Sequence, residues 1–228
     1  MNPTTETKSL LSKGFNRRGF LATAGALSAA AVLAACGSDS DSSSDTTADK
    51  TTTTGAPSDT TAPAEGGAEA DLKVGAVAAG LEVLAVNTYG AALDAAGAGK
   101  LGEVPPAVAE FVTTAQKHHQ DALDAWNKIL TDNGAEAVTD PPADLEKTVN
   151  TEFGKVTDVG GAAKLALLLE QTAAATYLKV LPGLTVPGAI ELAASIQPID
   201  MQHAAVLLFV LGEYPVPDTF ASTDKSYA

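Results

Sequence analysis

Hydrophobic residues divide the chain into three regions. Residues 1–35 carry a compact apolar stretch behind a basic start, residues 37–70 have almost no large apolar side chain, and residues 71–228 hold nearly all the Leu, Val and Ile. Only the last region can bury a core, and its length is normal for one domain. The pattern therefore predicts a targeting segment (1–35), a linker (36–70) and a single domain (71–228).

Four segments of the domain have a helical pattern, at about residues 71–95, 106–130, 161–181 and 187–211. The second segment has the clearest period, because apolar residues recur every three or four positions on one face. Those positions are Val108, Val112, Ala115, His119, Ala122, Trp126 and Ile129. Each segment is long enough to form one arm of a bundle, so we expect an all-α fold.

The connections differ in length. A short Gly-rich loop over residues 97–104 joins the first two segments, whereas about thirty residues separate the second from the third, with a short helix expected over residues 143–153. Such a long middle connection lets two hairpins pack with the second and third segments parallel. The prediction is an antiparallel four-helix bundle with a long crossover between helices 2 and 3. Pro198 should kink the fourth segment or begin a new turn.

The charge balance excludes one class of partner. Four of the 14 basic residues and one of the 28 acidic residues precede Cys36, which leaves 10 basic against 27 acidic beyond it, or −17. Arg17 and Arg18 are the only arginines, so the rest of the chain has no bidentate phosphate clamp. A surface this acidic repels phosphate backbones, and we exclude nucleic acid as a partner.

The N-terminal segment has the parts of an export signal. Residues 16–21 read NRRGFL, an Ala-rich apolar stretch follows, and residues 33–37 read LAACG. The segment resembles a twin-arginine export signal that ends in a bacterial lipobox. A transmembrane anchor is the alternative, but the apolar run from residue 20 to 35 is short and rich in alanine, a weak membrane residue.

The resemblance implies that Cys36 becomes the lipidated N-terminus and holds the protein at the outer face of the cytoplasmic membrane, in the cell envelope. Cys36 is the only cysteine, so the domain has no intramolecular disulfide. A twin-arginine signal implies export in the folded state, a route that suits proteins loaded with a cofactor. The Ser/Thr/Asp-rich linker behind Cys36 cannot bury enough apolar surface to order, and we expect a disordered tether.

An internal repeat carries the candidate chemistry. Glu82 lies in an apolar stretch of the first segment, and Tyr89 follows seven residues later. Glu170 and Tyr177 have the same spacing in the third segment. In the second and fourth segments a polar residue precedes a histidine by three positions, as Gln116 with His119 and as Asp200 with His203. Two hairpins with matching polar insertions predict a pseudo-twofold site between them.

The two glutamates need partners. An unpaired buried carboxylate costs several kcal/mol, of the order of 3–5, and the domain has no arginine to neutralise it. One metal cation shared among the helices would neutralise both glutamates at once. Oxygen and imidazole donors together suit iron, manganese or zinc.

The pattern resembles the di-iron or di-manganese site of ferritin-like proteins, the bacterial ferritin-like domain family in particular, over about residues 72–212. The resemblance implies a ferritin-like bundle in which Glu82 and Glu170 are terminal ligands and His119 and His203 are nitrogen ligands. Tyr89 and Tyr177 would hydrogen-bond the site. We interpret His118 as a residue on the flank of the helix, which at most supports a ligand through a contact.

The chain departs from that family where the bridging glutamates would be, because Gln116 and Asp200 occupy those positions. Gln116 is neutral and Asp200 is one methylene shorter, so three carboxylates remain. Two divalent ions would need an added hydroxide or oxide, whereas one ion would not. A mononuclear and a dinuclear site therefore both stand, with iron or manganese as the metal.

Two functions follow. The first is a membrane-tethered metal-binding protein, redox-active toward Fe(II) or peroxide. The alternative is a non-enzymatic envelope lipoprotein with a degenerate site, in stress protection or partner binding. The sequence leaves open whether the protein is an enzyme, and no Ser or Cys nucleophile motif beside a histidine supports a hydrolase.

Overall fold

The structure, a computed structural model, describes residues 65–227, with side chains from residue 67 onward. The described chain forms five α-helices and no strand, which confirms the predicted all-α class. The helices are α1 (Glu65–Gly97), α2 (Pro106–Asp132), α3 (Ala143–Phe153), α4 (Val159–Val180) and α5 (Pro187–Val210). A short 3-10 turn, Leu181–Gly183, follows α4. The export signal, Cys36 and most of the linker lie outside the described residues.

The helix ends agree with the sequence pattern except at the start of α1. That helix begins at Glu65, so residues 65–70, assigned to the linker from sequence, are helical. A helix extends cheaply once its nucleus is packed, and the pair between Glu69 and Lys73 supports the added turn. α2 ends at Asp132, and Asn133 and Gly134 follow it; Gly134 has a φ of 78°, which favours glycine. α5 runs through Pro198 as one helix.

α1 and α2 form the first hairpin. Gly75, near the start of α1, lies against Trp126 late in α2, and Gly90, near the end of α1, lies against Gln116 early in α2. The order of these contacts is reversed along the two helices, so the helices are antiparallel. α4 and α5 form the second hairpin through the short turn between them.

The two hairpins pack with α1 beside α4 and α2 beside α5. Asp71, at the start of α1, accepts hydrogen bonds from the backbone N–H groups of Thr185 (2.8 Å) and Val186 (2.6 Å), just beyond the end of α4. α4 is therefore antiparallel to α1, and α2 and α4 run in the same direction. The arrangement is the predicted bundle with a long crossover.

The crossover helix α3 covers the face between α1 and α4. Its Val149 is buried with Leu84 of α1 and Leu165 of α4. A larger apolar cluster fills the end of the bundle where α1 begins and α2 ends, around Trp126 and Leu130. Between these two apolar regions lie the buried polar side chains described below.

By length and hydropathy α1 could cross a membrane, since residues 67–97 contain an apolar stretch of 18 residues. Half of that stretch is buried inside the bundle, and the helix carries the buried carboxylate of Glu82 near its centre. α1 is therefore a core helix of the described domain.

Candidate metal centre

The polar residues singled out from the sequence converge inside the bundle. α1 contributes Glu82, α2 contributes His119, α4 contributes Glu170, and α5 contributes both Asp200 and His203. Each of the five is at most 6% exposed. Asp200 and His203 are three residues apart on one helix face, so both side chains reach the same interior space.

Glu170 lies at the centre of the cluster. Its Oε1 is 3.1 Å from Nε2 of His119, and its Oε2 is 3.2 Å from Nδ1 of His203. One donor atom from each of four residues can be chosen so that all four atoms lie within 4.8 Å of one another. These four residues, which we call the four-residue cluster, are His119, Glu170, Asp200 and His203.

Glu82 contacts the cluster through a histidine. Its Oε2 is 2.7 Å from Nδ1 of His119, the ring nitrogen that points away from Glu170. With the proton on Nδ1, His119 donates to Glu82 and leaves the lone pair of Nε2 directed at the cluster. A carboxylate that holds the far nitrogen of a histidine in this way is common beside metal ligands. The structure thus gives Glu82 an orienting contact, whereas the sequence suggested a ligand.

The two tyrosines of the repeat cross between the hairpins. Tyr89 of α1 donates a hydrogen bond to Oε1 of Glu170 (2.5 Å), and Tyr177 of α4 donates one to Oε1 of Glu82 (2.6 Å). Each buried glutamate is therefore held by the tyrosine of the opposite hairpin, which gives this part of the site the pseudo-twofold symmetry of the sequence. Burial and then the neighbouring carboxylate raise the pKa of both tyrosines well above the usual 10, so both stay protonated donors.

Two further side chains contact the site. Trp126 was placed in the apolar face of α2, and sequence reasoning missed that its Nε1–H also donates to the Tyr177 hydroxyl at 2.8 Å. His118 was interpreted as a flank residue with at most a supporting contact to a ligand, and its Nδ1 lies 3.0 Å from Nε2 of the expected ligand His203. The only sequence signal for this contact is the position of His118 next to His119, which does not say what an exposed flank will meet.

The His118–His203 contact has the geometry of an in-plane hydrogen bond. The ring planes differ by 13° and the centroids are 5.3 Å apart. That centroid separation is what two coplanar rings joined edge to edge by a 3.0 Å N···N contact give, and it is too long for a face-to-face stack. In the metal-free protein Nδ1–H of His203 donates to Oε2 of Glu170, and Nε2 of His203 accepts from Nδ1–H of His118. A cation bound at Nδ1 of His203 would move the proton of His203 to Nε2, and His118 Nδ1 would then be the acceptor.

Gln116 does not join the cluster. Its Nε2 donates to the backbone carbonyl of Val86 in α1 at 3.2 Å. The absence of a side chain at Gly90 makes room for this amide, since a Cβ there would lie 2.9 Å from Gln116 Nε2. Of the residues suggested as ligands from sequence, Gln116 is the one that the structure ties to a helix backbone.

The charges inside the site shift the pKa values of His119 and Glu170 in opposite directions. Burial alone would lower the pKa of His119, but Glu170 and Glu82 outweigh burial and hold it well above 6.5. Burial alone would raise the pKa of Glu170, but His119 and His203 lower it to about 2. The sequence argument that the core offers no cation was therefore incomplete, since a protonated His119 pairs with both glutamates.

Asp200 is left without such a partner. Burial, followed by the charges of Glu82 and Glu170, raises the pKa of Asp200 well above its usual 3.8, against a smaller opposing effect of His119. Its Oδ2 is the one buried side-chain polar atom in the described part of the chain with no hydrogen-bond partner. A buried polar atom without a partner costs about 1–3 kcal/mol.

These observations fit a metal cation. The four-residue cluster offers two imidazoles and two carboxylates, a hard and intermediate donor set that suits divalent iron, manganese or zinc. A cation between them would give Oδ2 of Asp200 a partner and would take the place of the proton on His119. Three buried carboxylates against one protonated histidine leave room for further positive charge.

The fold and the site define the chain as a helical-bundle protein with a buried histidine–carboxylate centre. The model of the ferritin-like domain family matches residues 70–213, and the chain belongs to that family. The match runs from residue 70, within α1, to just beyond α5 and includes the whole candidate centre. No curated protein and no solved structure matches the chain significantly.

Proposed function

We propose that this ferritin-like domain binds one divalent cation, iron or manganese, and works at the outer face of a membrane. The observation that carries the proposal is the unpartnered Oδ2 of Asp200, buried among two histidines and a second carboxylate. The ligands would be the four-residue cluster, His119, Glu170, Asp200 and His203.

The position of Gln116, which faces away from the cluster, favours one cation over two. A dinuclear site would need ligands for a second ion, and Gln116 is occupied with the carbonyl of Val86. Glu82 in turn is held by Tyr177 and by His119. The charges are compatible with one ion, because a divalent cation balances Glu170 and Asp200, and the remaining charge of Glu82 keeps its hydrogen bonds from Tyr177 and His119.

The surrounding residues would hold the ligands in place. Glu82 fixes the proton of His119 on Nδ1, and Tyr89 fixes the carboxylate of Glu170. Aromatic rings pack against both histidines, since Tyr89 lies parallel to His119 and Phe111 meets His203 edge to face. A buried, ordered site strengthens the charge interactions inside it.

Iron or manganese would supply one-electron exchange at such a centre. If the protein removes peroxide, each H2O2 needs two electrons and two protons to form two H2O. Each Fe(II) supplies one electron when it is oxidised to Fe(III). Two Fe(II) ions, supplied as substrate, would therefore be consumed for each H2O2. Consumption of Fe(II) and H2O2 in a two-to-one ratio would support this activity, and an unchanged peroxide level would contradict it.

The location rests on the N-terminal sequence. Cys36 in the LAACG run would be lipidated and would hold the domain outside the cytoplasmic membrane through residues 37–64. Detergent phase partition of the exported protein tests this directly. Wild type should enter the detergent phase and Cys36→Ser should stay in the aqueous phase, while equal partition of both would rule out a lipid on Cys36.

The metal proposal is tested by metal content. The full-length chain with Cys36→Ser, which removes the only thiol, is loaded with Mn(II) or Fe(II), desalted and analysed for bound metal. We expect about one ion per chain, lost in His203→Ala. Gln116→Leu is the matched control, and it should keep the ion because Gln116 faces Val86. No metal in the parent protein would contradict the proposal.

A second candidate function follows from the pairing of His119 with Glu82 and Glu170, at 2.7 and 3.1 Å. This internal ion pair stabilises both glutamates without any metal. The chain would then be a non-enzymatic envelope protein, in stress protection or partner binding. Absence of bound metal from wild type, together with full thermal stability in chelator, would favour it over the first function.

A further inference from the structure

Two openings in the described domain lead toward the centre. The first is a cleft of about 250 Å3 between α2 and α5, lined by His118, Ser195, Asp200 and His203 among others. The second is a cavity of about 150 Å3 between α1 and α4 beneath α3, and it reaches Glu82, His119 and Glu170. Both touch the four-residue cluster, so either could admit a cation.

The two openings differ in the carboxylate oxygens that they present to an entering cation. The α2/α5 cleft has Asp200 in its wall, and Oδ2 of Asp200 is buried without a partner. Glu82 and Glu170, which the second cavity reaches, are already bonded to tyrosine and histidine. Of the buried carboxylates that the two openings reach, only Asp200, in the α2/α5 cleft, has an oxygen without a hydrogen-bond partner.

The coverings of the two openings differ as well. The α2/α5 cleft is covered by one exposed side chain, His118. Within the described residues, His118 is held by one hydrogen bond, to His203. An exposed side chain changes rotamer in picoseconds to nanoseconds. The second cavity lies under α3, where Val149 is packed with Leu84 and Leu165, so a wider passage there would require displacement of a helix.

We infer that the α2/α5 cleft is the entrance for the divalent cation and that His118 is the side chain that opens and closes it. The inference rests on the proposed metal site. In the closed position His118 holds His203 with Nδ1 toward the cluster. When His118 turns outward, the path from solvent to Asp200 is open. The chain beyond Cys36 has a net charge of −17, which attracts cations to the protein as a whole.

The test places a tryptophan in the wall of each opening and compares the two variants. Ser195 lines the α2/α5 cleft and Thr148 of α3 lines the second cavity, and both side chains are exposed on helices. Ser195→Trp and Thr148→Trp are made in the full-length Cys36→Ser chain. Co(II), whose visible absorption reports coordination by nitrogen and oxygen, is mixed with each protein in a stopped-flow instrument, and the bound amount is measured at equilibrium.

We expect Ser195→Trp to slow Co(II) association by about tenfold or more and Thr148→Trp to leave it near the parent rate, with equal binding at equilibrium. His118→Ala, which removes the cover, should speed both association and release. Equal rates in all variants, or slowing by Thr148→Trp alone, would overturn the inference while the metal site stands. No Co(II) binding by the parent protein would instead overturn the proposed function on which the inference rests.

Discussion

Tyr89 of the first hairpin donates a hydrogen bond to Glu170 of the second at 2.5 Å, and Tyr177 returns the same contact to Glu82 at 2.6 Å. The two contacts join the hairpins across the centre of the bundle. Tyr177 uses Oε1 of Glu82 and leaves Oε2 to His119. Tyr89 shares Oε1 of Glu170 with His119, and Oε2 of Glu170 is left to His203. The tyrosines are thus structural partners of the candidate metal centre as well as of the fold.

Removal of either tyrosine hydroxyl should destabilise the domain. Tyr89→Phe leaves Glu170 with one hydrogen bond fewer, and we expect a loss of about 1–3 kcal/mol in the free energy of unfolding. Tyr177→Phe should cost more, because it also leaves Nε1–H of Trp126 without its acceptor. Urea unfolding measures both, with the exposed Tyr214→Phe as the control. Equal stability of all three variants would show that the crossed contacts contribute nothing.

Asp200→Asn should separate metal binding from stability. In the metal-free protein burial and two glutamates raise the pKa of Asp200, which means that they disfavour its charged form, so a neutral amide should leave stability unchanged or raise it. The same change removes a charged ligand and should abolish tight Mn(II) binding. Thermal unfolding in chelator and Mn(II) titration check the two parts. A large drop in the melting temperature of the metal-free variant would mean that Asp200 has a structural role.

The positions of the helices could be read from the sequence, because apolar periodicity and Gly and Pro signals are local. His119 in the apolar face of α2 and the repeated Glu-to-Tyr spacing also indicated which polar groups are interior. The hydrogen-bond partners of Gln116 and His118 could not be predicted from sequence, since each partner belongs to another helix. Gln116 meets the Val86 carbonyl beside Gly90, and His118 meets His203.

The metal-free protein should lose stability as pH rises. The pKa of His119 is raised, so its contribution is complete below about 6.5 and is lost as pH rises through the folded value. Asp200, raised from 3.8, acts in the same direction at lower pH. Glu170, lowered to about 2, contributes above about 4.5 and loses its effect only in acid.

Urea midpoints at about pH 5.5 and about pH 8.5, with chelator present, test this sign. The midpoint should be lower at the higher pH. Mn(II) should reverse the trend, because the ligands bind the cation in their deprotonated forms and affinity therefore rises with pH. A metal-free midpoint that rises over the same interval would contradict the charge assignment of His119 and Asp200.

His118→Leu should weaken the metal site without touching a ligand. The variant removes the acceptor that keeps the proton of His203 on Nε2, and loss of such a partner costs about 10–100-fold in metal affinity. His118→Asn retains an acceptor oxygen near the position of Nδ1 and should recover most of the affinity. Gln120→Leu, at an exposed position paired with Asp124, is the control. Equal Mn(II) affinity of the leucine and asparagine variants would remove the positioning role.

Anomalous diffraction from crystals soaked with Mn(II) tests the central claim most directly, because it shows both the place and the number of bound ions. The account predicts one peak per chain, surrounded by Nε2 of His119, Nδ1 of His203 and the carboxylates of Glu170 and Asp200. Two peaks, with Glu82 and Gln116 turned inward as ligands, would contradict the single-cation site. No peak at the cluster would show that the bundle is held by its internal ion pairs alone.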